Sequence, residues 1–424
     1  FTIFIPGTIK GEKVRVLIVK VLSSHGFGKI VEIIEKSQAR QDVDCNTYKR
    51  CGGCNLRHVK YEETLKMKQN AVQSLVNKTL KNKLQVRETV GMENPLHYRN
   101  KAQYPIGINK KGEPVIGVFA NRTHEVIPID NCLIQNKKSE EIAKFIIEFI
   151  KEKNISIYDE KKGKGLVRHI VTKVGIKTGE IMCVIVINGH KIPNENELVE
   201  NLKTKYPEIK AIVKNINMKN TNVILGQENI NLYGNGYIED ILGEYKFKIS
   251  PLSFYQVNPV QAEKLYDLGV SMAEITKNDI VFDLYCGIGT ISLFMSKFAK
   301  KVYGIEIVEE AVKMAKENAQ NNNVSNTEFF AGDVEIVLDD LINNKGLKAD
   351  VVMFDPPRKG LDKKSIDNIL NIRPKKIVYI SCNPATLIRD LADFENEYDI
   401  KTIIPVDMFP FTSHVECVAT LQLK

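Results

Sequence analysis

The chain reads Asp283-Leu-Tyr-Cys-Gly-Ile-Gly-Thr290 between an apolar run at 280–282 and a second apolar segment at 291–298. This order predicts a strand, a glycine-rich turn and then a helix. The two glycines let the backbone approach a ligand closely, and the helix start offers unpaired N–H groups. The next predicted strand ends near Glu306, 23 residues after Asp283. That separation is close to the one at which an acid contacts a ribose in Rossmann-type folds.

The match to a dinucleotide-binding loop is incomplete. The sequence Gly287-Ile-Gly-Thr-Ile-Ser292 lacks the third glycine of the G-x-G-x-x-G pattern, so the turn alone is a weak nucleotide signal. An acid opens the loop, and Asp355-Pro-Pro357 follows downstream. With these two features the stretch resembles the donor loop of S-adenosylmethionine-dependent methyltransferases.

The C-terminal part, residues 241–424, alternates apolar strands with helical segments. Strands are predicted at 280–284, 301–305, 327–331, 351–355, 376–381, 401–406 and 415–422. This alternation predicts an α/β fold with a doubly wound, mostly parallel sheet, in which ligands bind beyond the carboxyl ends of the strands. Five reactive side chains fall at or just after predicted strand ends, which supports one shared site: Asp283, Glu306, Asp333, Asp355 and Cys382.

The composition is that of an ordinary globular protein. The 424 residues suffice for two or three domains, with 43% hydrophobic and 26% charged residues. We see no membrane-length apolar run and no signal peptide, so we expect a cytoplasmic protein without a membrane partner. The net charge of +8 fits a solvated lysine-rich surface and nucleic-acid binding equally well.

The region before the glycine-rich turn divides into two predicted domains. Residues 1–40 contain short strands separated by glycine turns, typical of a small OB-like β-barrel or of a hairpin packed on its neighbour. Because the chain begins with Phe1, we expect such a barrel to be trimmed at its start. Residues 41–240 are predicted to form an α+β domain, and its helix at 62–80 can pack on the C-terminal domain.

The candidate nucleophile is Cys382 in Ser381-Cys-Asn-Pro384, directly after an apolar strand. A strand-end thiol beside a cofactor site can attack a substrate if its pKa is lowered. Considered without its neighbours, Cys382 is better explained as a small buried residue at the end of a strand. Glu416 begins the last predicted strand and can act as a general base, or it is a solvated edge charge. His414, two residues earlier, can orient a group, contact RNA or pack in a loop.

Taken together and in this order, the motifs identify a family. Asp-Leu-Tyr-Cys-Gly-Ile-Gly from Asp283, Asp-Pro-Pro-Arg-Lys-Gly from Asp355, Ser-Cys-Asn-Pro from Ser381 and His-Val-Glu from His414 resemble the RNA uridine-5-methyltransferases. Phe-Tyr-Gln-Val-Asn258 precedes them and fits the same family. The N-terminal strands resemble a TRAM domain, an OB-like RNA-binding module. The resemblance therefore extends over almost the whole chain.

The resemblance implies a role for individual residues. Cys382 would be the nucleophile and Glu416 the base, with S-adenosylmethionine as methyl donor. Asp355 would hold the donor or the uracil edge, Arg358 would meet phosphate or an enolate, and Glu306 would take the ribose hydroxyls. The donor-binding set comprises Gln256, Tyr285, Gly287, Thr290, Glu306, Asp333 and Asp355.

The cysteine spacing Cys45-x5-Cys51-x2-Cys54-x77-Cys132 resembles the 4Fe-4S ligand set of the branch that methylates 23S ribosomal RNA in bacteria. Zinc is the rival, since C-x2-C is common in zinc sites. A lone distant fourth cysteine favours iron–sulfur, and Gly52 and Gly53 would supply free N–H groups to bridging sulfides. We expect this cluster to be structural.

The candidate RNA contacts mix cations with aromatic residues, as stacking and phosphate contacts require. They are Arg99, Lys101, His169, Arg358 and His414. We expect a monomer that flips a uridine of RNA, most simply 23S ribosomal RNA, toward Cys382. The alternatives are a transfer-RNA substrate, an amino-group or cytosine-5 methyltransferase, and a non-catalytic iron–sulfur RNA-binding protein.

Overall fold

The computed structural model describes residues 1–121 and 123–424. At the N-terminus, β1 (Thr2–Phe4), β2 (Lys13–Val21) and β3 (His25–Glu35) form a sheet with the order β1-β3-β2. β1 pairs parallel with β3, and β2 pairs antiparallel with it. Three strands are fewer than the five of a complete OB-like barrel, so the barrel trimmed at its start stays a prediction.

The helix predicted at 62–80 is confirmed as α1 (Tyr61–Thr79). Its buried residues Val72 and Val76 belong to the same apolar core as Leu391 and Phe394 of the C-terminal region. The chain after the helix is also fixed there, since the N–H groups of Lys81 and Asn82 donate to the Glu395 carboxylate at 3.0 and 2.9 Å. Helix α1 therefore packs on the C-terminal sheet.

The central region is a seven-stranded sheet with two helices on one face. Its elements are β4 (Lys101–Ile108), β5 (Pro114–Phe119), β6 (Val126–Pro128), α2 (Lys137–Glu152), β7 (Val167–Val174), β8 (Ile181–Ile187), α3 (Glu195–Lys205), β9 (Ile209–Ile216) and β10 (Glu228–Tyr233). The strand order is β10-β9-β8-β7-β4-β5-β6. Strands β7 and β8 are buried along their whole length, because both faces of the sheet are covered. A hairpin of β11 (Ile238–Leu242) and β12 (Tyr245–Ile249) leads into the C-terminal region.

The C-terminal region confirms the doubly wound, mostly parallel sheet. Its elements are α4 (Pro259–Ala273), β13 (Ile280–Leu284), α5 (Thr290–Ser296), β14 (Lys301–Glu306), α6 (Glu309–Asn321), β15 (Thr327–Ala331), α7 (Val334–Asp339), a π-helical turn (Asp340–Asn344), β16 (Val351–Phe354), α8 (Lys363–Ile372), β17 (Lys376–Ser381), α9 (Pro384–Phe394), β18 (Tyr398–Val406) and β19 (Glu416–Leu423).

The order of the C-terminal strands, β15-β14-β13-β16-β17-β19-β18, has two consequences for a binding site. The chain reverses its direction of winding at β13, which lies between β14 and β16, and ligands of open α/β sheets bind at such a switch point. β19 is antiparallel to both neighbours, so its first residue lies at the carboxyl edge of the parallel strands. Within the described residues, no helix is long and apolar enough to cross a membrane.

Candidate active site

Cys382 and Glu416 are brought together by the antiparallel pairing of β17 and β19. The ladder pairs Lys376 with Gln422 and ends with Ser381 opposite Cys417. Cys382 directly follows Ser381, and Glu416 directly precedes Cys417, so the two residues lie beside the last pair of the ladder, and the Glu416 charge acts on the Cys382 thiol. Glu416 is buried, with 4% of its surface exposed, whereas Cys382 is only partly buried. A thiol and a carboxyl group therefore share one end of the sheet.

Arg358 is positioned by the start of α9, directly after Cys382. Its backbone carbonyl accepts a hydrogen bond from Asn383 Nδ2 at 3.0 Å and one from Thr386 Oγ1 at 3.4 Å. Farther along the same loop, the Leu361 N–H donates to the buried Asp390 carboxylate at 2.8 Å. These contacts tie the loop after β16 to the end of β17.

The surroundings of the site disfavour the ionised forms of the Cys382 thiol and the Glu416 carboxyl group. Burial raises the pKa of the Cys382 thiol, and the charges of Glu416 and Asp355 raise it further. Burial also raises the pKa of Glu416 to about 8, with the Asp355 charge adding to the effect. Arg358 acts in the opposite direction and lowers both pKa values. The lowered thiol pKa that nucleophilic attack needs is therefore not present in the free protein.

The donor loop between β13 and α5 is built from unusual backbone conformations. Tyr285, Gly287 and Gly289 have φ angles of +65°, +54° and +80°. Such an angle is strained for tyrosine, and strained residues cluster at binding sites. A Cβ at Gly289 would lie 3.0 Å from Ala315 and Phe329, so glycine is required there, while the space beside the Gly287 Cα is open.

Glu306 closes this loop from the end of β14. Its carboxylate accepts hydrogen bonds from the N–H of Gly287 at 3.1 Å and from the N–H of Val308 at 3.0 Å. Asp333 stands at the end of the next strand and caps α7 by accepting from the Glu335 N–H at 2.9 Å. Thr290 is the first residue of α5. The predicted donor residues therefore lie along one edge of the sheet.

Asp283 is the most deeply buried acid of the loop. One carboxylate oxygen accepts from the Ser292 hydroxyl, and the other has no partner among the described residues. Burial raises its pKa to about 7, and the charges of Asp355 and Glu306 contribute. A buried carboxylate oxygen without a partner, at the end of β13 and before the glycine-rich loop, fits a bound polar ligand.

Gln256 connects this site to the central sheet. Its side chain lies beside the buried Tyr266 hydroxyl, whose pKa is raised by burial and then by the charge of Asp355. Its backbone carbonyl accepts from Asn100 Nδ2 at 2.9 Å. The same loop is held by the buried Lys173, whose ammonium donates to the carbonyls of Ser250 at 2.6 Å and Ser253 at 2.9 Å.

The segment before Glu416 is held by residues far away in the sequence. The N–H groups of Asn55 and Leu56 donate to the Phe411 carbonyl at 3.1 and 2.9 Å. Asn55 also exchanges two side-chain hydrogen bonds with Ser413, at 2.9 and 2.8 Å. The Arg57 guanidinium lies over the Phe411 ring, 4.0 Å from its centroid. The residues directly after Cys54 therefore fix the approach to Glu416.

The four predicted ligand cysteines are close to one another but do not form a metal site in the structure. Burial raises the pKa of the Cys54 thiol to about 12, and the charges of Cys132, Cys51 and Cys45 add to this shift. Gly53 donates its N–H to Cys51 Sγ at 3.3 Å. Across residues 1–121 and 123–424, no group of three or more His, Cys, Asp or Glu side chains is arranged to hold a metal ion.

The predicted RNA contacts fall into two groups. Arg358 and His414 lie at the site, where the Arg358 charge lowers the pKa of His414 after the larger effect of burial. Arg99, Lys101 and His169 lie on or beside the central sheet instead. His169 is buried, and neither ring nitrogen has a partner among the described residues.

Several residues of the site carry no recognisable signal in the sequence. Tyr266, Asn100 and Lys173 reach it only through tertiary contacts. Asn383 adjoins Cys382 in the sequence, but its contact with the Arg358 carbonyl depends on the neighbouring strand. Asn258 was detectable, because an asparagine before Pro259 is typical of a helix N-cap, and its side chain accepts from Gln261 N.

Comparison with known proteins agrees with this geometry. The family model described as tRNA (Uracil-5-)-methyltransferase matches residues 60–424. An uncharacterized RNA methyltransferase of Clostridium acetobutylicum is 48% identical over 426 residues, covering 100% of this chain and 92% of that protein. One of Staphylococcus aureus is 43% identical over 425 residues, covering 100% of this chain and 94% of that protein.

A solved structure is similar along nearly the whole chain. It is the Pyrococcus abyssi tRNA (uracil-54, C5)-methyltransferase in complex with S-adenosyl-L-homocysteine, with a TM-score of 0.79 and 27% identity over 99% of this chain and 95% of that one. The sheet that carries Cys382 thus has the class I methyltransferase fold. The chain belongs to the tRNA (uracil-5-)-methyltransferase family and is an S-adenosylmethionine-dependent RNA methyltransferase.

Proposed function

We propose that the protein transfers the methyl group of S-adenosylmethionine to carbon 5 of a uridine in RNA, through a covalent bond between Cys382 and carbon 6. The observation that supports the proposal is the register of β17 and β19, whose last pair, Ser381 and Cys417, adjoins both Cys382 and Glu416. Both groups lie on the sheet edge that also bears the donor loop. This arrangement supports uridine-5 chemistry over transfer to an amino group, which needs no thiol.

Each reactive group has one task in the reaction. The Cys382 thiolate adds to carbon 6, and the electrons of the 5,6 double bond move onto the carbonyl oxygen at carbon 4. The enolate returns these electrons through carbon 5 to the methyl carbon, and the donor leaves as S-adenosylhomocysteine. Glu416 then takes the proton from carbon 5, and the thiolate leaves as the double bond forms again. The products are 5-methyluridine, S-adenosylhomocysteine and one proton.

Arg358 supports these steps through charge. Its effect on the pKa values of Cys382 and Glu416 favours their ionised forms, and both forms are needed. A guanidinium at this position can also meet the enolate oxygen or a phosphate of the RNA. Asp355 and Gln256 would hold the donor, together with Tyr285, Gly287, Thr290, Glu306 and Asp333.

Ribosomal RNA is the proposed target, with transfer RNA as the second candidate. The cysteine spacing supports the 23S ribosomal branch, while the similar Pyrococcus abyssi enzyme acts on uracil 54 of tRNA. We propose three domains: a TRAM-type RNA-binding domain at 1–40, a central domain at 41–240 and the methyltransferase domain at 241–424. We further propose that the enzyme acts as a monomer.

A 4Fe-4S cluster bound by Cys45, Cys51, Cys54 and Cys132 belongs to this proposal. Its support is the spacing of the four cysteines in the sequence, together with the effect of the Cys132, Cys51 and Cys45 charges on the pKa of Cys54, which burial raises first. Cluster binding would require these thiols to ionise and to turn toward one another. Its role would be structural, and methyl transfer does not need it.

The proposal is tested by trapping the covalent adduct between Cys382 and the RNA. RNA that contains 5-fluorouridine cannot lose a proton from carbon 5 after methylation, so the adduct with Cys382 should persist on a denaturing gel and carry the donor methyl. Parallel reactions with 23S ribosomal and transfer RNA transcripts identify the target. Methylation without any trapped adduct on either RNA would rule out the covalent route.

A further inference from the structure

A buried ion pair lies at the start of the segment that joins β18 to β19, residues 407–415, which we call the β18–β19 turn. Lys68 of α1 is 2% exposed, and Asp407, directly after β18, is 0% exposed. The Lys68 ammonium donates one hydrogen bond to the Asp407 carboxylate and another to the Phe409 carbonyl at 3.2 Å. Lysine is almost never fully buried unless it is paired, so the pair is an unusual feature that asks for a reason.

Helix α1 holds both oxygens of the Asp407 carboxylate. The Tyr61 hydroxyl donates to the second oxygen at 2.8 Å and accepts from the Met92 N–H at 2.8 Å. Tyr61 and Lys68 are seven positions apart, which is about two helical turns, so they lie on the same face of α1. One face of this helix therefore fixes the orientation of a single carboxylate.

Asp407 is also held through its backbone. Its N–H donates to the Val90 carbonyl at 2.9 Å, and its carbonyl accepts from Gln261 Nε2 at 3.1 Å. The next carbonyl, that of Met408, accepts from Asn258 Nδ2 at 3.0 Å. The start of the β18–β19 turn is therefore bound to α1, to α4 and to the chain at Val90.

Asp407 adjoins the residue that pairs with Glu416 in the sheet. The ladder of β18 and β19 ends with Val406 opposite Glu416, and Asp407 is the next residue after Val406. The frayed ends of structural elements open at the lowest free energy. The Lys68–Asp407 pair thus fixes the chain at the point where Glu416 would otherwise move most easily.

Stability alone is a weak explanation for this pair. Taking two charges out of water is costly, and well-packed apolar residues in place of a buried ion pair are often as stabilising or more so. The pair adds direction, because charge-assisted hydrogen bonds are short and geometrically specific. Its cation also acts on the turn itself: burial and the Arg358 charge lower the pKa of His414, and the Lys68 charge lowers it further.

We propose that Lys68 and Asp407 are positioning residues for removal of the carbon 5 proton, because they hold the β18–β19 turn and with it the Glu416 carboxyl group. The inference rests on the proposed function, in which Glu416 takes this proton. Cys382 follows β17 and the donor loop follows β13, so neither belongs to the turn. Thiolate addition and methyl transfer should therefore depend on the pair less than proton removal does.

The test compares the steps before and after proton removal in Lys68→Met, which removes the charge and the donors but keeps a long unbranched side chain. The rate of adduct formation with 5-fluorouridine RNA, which needs no proton removal, should match that of the wild type. Turnover on uridine RNA should fall by up to about 100-fold, the cost of misplacing a group by about 1 Å. A covalent complex that carries the donor methyl should then accumulate on a denaturing gel.

Lys214→Met is the matched control, because Lys214 is also a buried lysine, at 5% exposed, and pairs with Glu195 at 2.8 Å in the central region. It should lower the free energy of unfolding, measured with urea, without trapping RNA. The double variant Lys68→Met with Asp407→Leu places two apolar residues at the pair and should regain stability but not turnover. Full turnover by the folded double variant, or equal loss of adduct formation and turnover in Lys68→Met, would overturn the inference.

Hydrogen exchange separates this inference from the proposed function, since it needs no RNA. In Lys68→Met, amide exchange should become faster at residues 407–416, while the amides of β13 and β17 should exchange as in the wild type. Unchanged exchange at 407–416 would also overturn the inference. If the wild type forms no adduct and methylates no uridine, the proposed function fails, whereas faster exchange confined to 407–416 would still show that the pair holds Glu416 in place.

Discussion

Cys382 and Glu416 lie beside the last pair of the β17–β19 ladder, Ser381 and Cys417, although they are 34 positions apart in the chain. The pair is flanked by Asp355 on the neighbouring strand end, and Arg358 is the cation that lowers the pKa values of both members. The proposed nucleophile and the proposed base thus share one edge, and both must be deprotonated to act, which makes the reaction sensitive to pH and to each of these side chains.

Replacing the nucleophile should abolish turnover and leave donor binding intact. Cys382→Ala removes the sulfur but none of the groups around Gly287 and Glu306, so the affinity for S-adenosylmethionine, measured by calorimetry, should stay within about 2-fold. Cys183→Ala is the control for loss of a cysteine, since Cys183 is buried in the central sheet. Appreciable methylation of RNA by Cys382→Ala would refute the assignment of the nucleophile.

Replacing the base should stall the reaction after methyl transfer. Glu416→Gln keeps the shape of the side chain but cannot accept the proton, so turnover should fall by about 10²-fold or more. A covalent protein–RNA complex with unmodified uridine should then accumulate on a denaturing gel and retain label from the donor methyl. The double variant with Cys382→Ala should show no such band.

Glu395→Gln is the matched control for this experiment. Glu395 is also a buried glutamate, but it binds the N–H groups of Lys81 and Asn82 away from the reactive pair. It should lower stability without trapping RNA. If Glu416→Gln instead turned over at nearly the wild-type rate, Asp355 or a water held by His414 would have to take the proton.

The pH dependence of kcat/KM should depend on Arg358. The pKa of Glu416 is raised to about 8 and that of Cys382 is raised as well, so activity should rise with pH above neutrality as both groups ionise. Arg358→Gln removes the charge that lowers both pKa values. The rising part of the profile of kcat/KM against pH should therefore shift to higher pH by about one unit. Asn383→Ala, which frees the Arg358 carbonyl, should move it in the same direction by less.

Arg373→Gln serves as the control, because Arg373 is exposed and pairs with Glu397. Its pH profile should match that of the wild type, and Arg358→Lys should recover part of the shift. A profile for Arg358→Gln that is lowered in amplitude but unchanged in position would mean that Arg358 acts by binding RNA and not on the reactive pair.

The stability of the protein should fall as pH rises, in part because of Asp283. Burial raises its folded-state pKa from 3.8 to about 7. Its contribution to the free energy of unfolding is therefore fully present below about pH 4 and is lost as pH rises through 7. Ionising it at pH 8 costs on the order of 3–4 kcal/mol. Asp283→Asn avoids this cost, so its free energy of unfolding should decline less between pH 4 and 8.

Urea denaturation at several pH values measures this difference. Asp393→Asn is the control, since Asp393 is an exposed aspartate of α9, and its curve should run parallel to that of the wild type. Parallel curves for Asp283→Asn would show that Asp283 is ionised in the folded protein. The higher free energy of unfolding of Asp283→Asn at pH 8 should be accompanied by weaker binding of S-adenosylmethionine.

Loss of one ligand cysteine should affect colour, stability and catalysis together. Cys51→Ser is expected to give a colourless, less stable protein that still binds S-adenosylmethionine. Because the Asn55 side chain holds Ser413, just before Glu416, through two hydrogen bonds, turnover should also fall. Asn55→Ala, which leaves all four cysteines in place, should reproduce the loss of turnover but not the loss of colour.

Iron and sulfide analysis of anaerobically purified wild-type protein decides the identity of the group. Close to four irons and four sulfides per chain is the expected result. One tightly bound zinc without sulfide would exclude the iron–sulfur proposal. Full turnover by Asn55→Ala would show that the bonds of the Asn55 side chain to Ser413 do not position Glu416.

The sequence by itself determined the architecture of the C-terminal sheet and the chemistry of its edge. Alternating apolar strands and helices allow few arrangements, and the carboxyl ends of parallel strands always meet at one edge. For that reason Asp283, Glu306, Asp333, Asp355 and Cys382 could be assigned to one site from strand ends alone. The turn at Gly287 and Gly289 could also be predicted from the sequence. Each of these glycines takes a positive φ angle that other residues adopt only with strain.

Tertiary structure alone decided how the parts are joined. The N-terminal strands predicted a trimmed barrel or a packed hairpin, and only the structure decides that three strands pair in the order β1-β3-β2, because a local pattern specifies strands and not their pairing. The closeness of Cys382 to Glu416 depends on the insertion of β19 between β17 and β18 in the antiparallel sense. No periodicity encodes that insertion, because it is set by long-range packing. The burial of Cys382 and Glu416, which raises the pKa of both side chains, follows from the same packing. It could not be predicted from the sequence either.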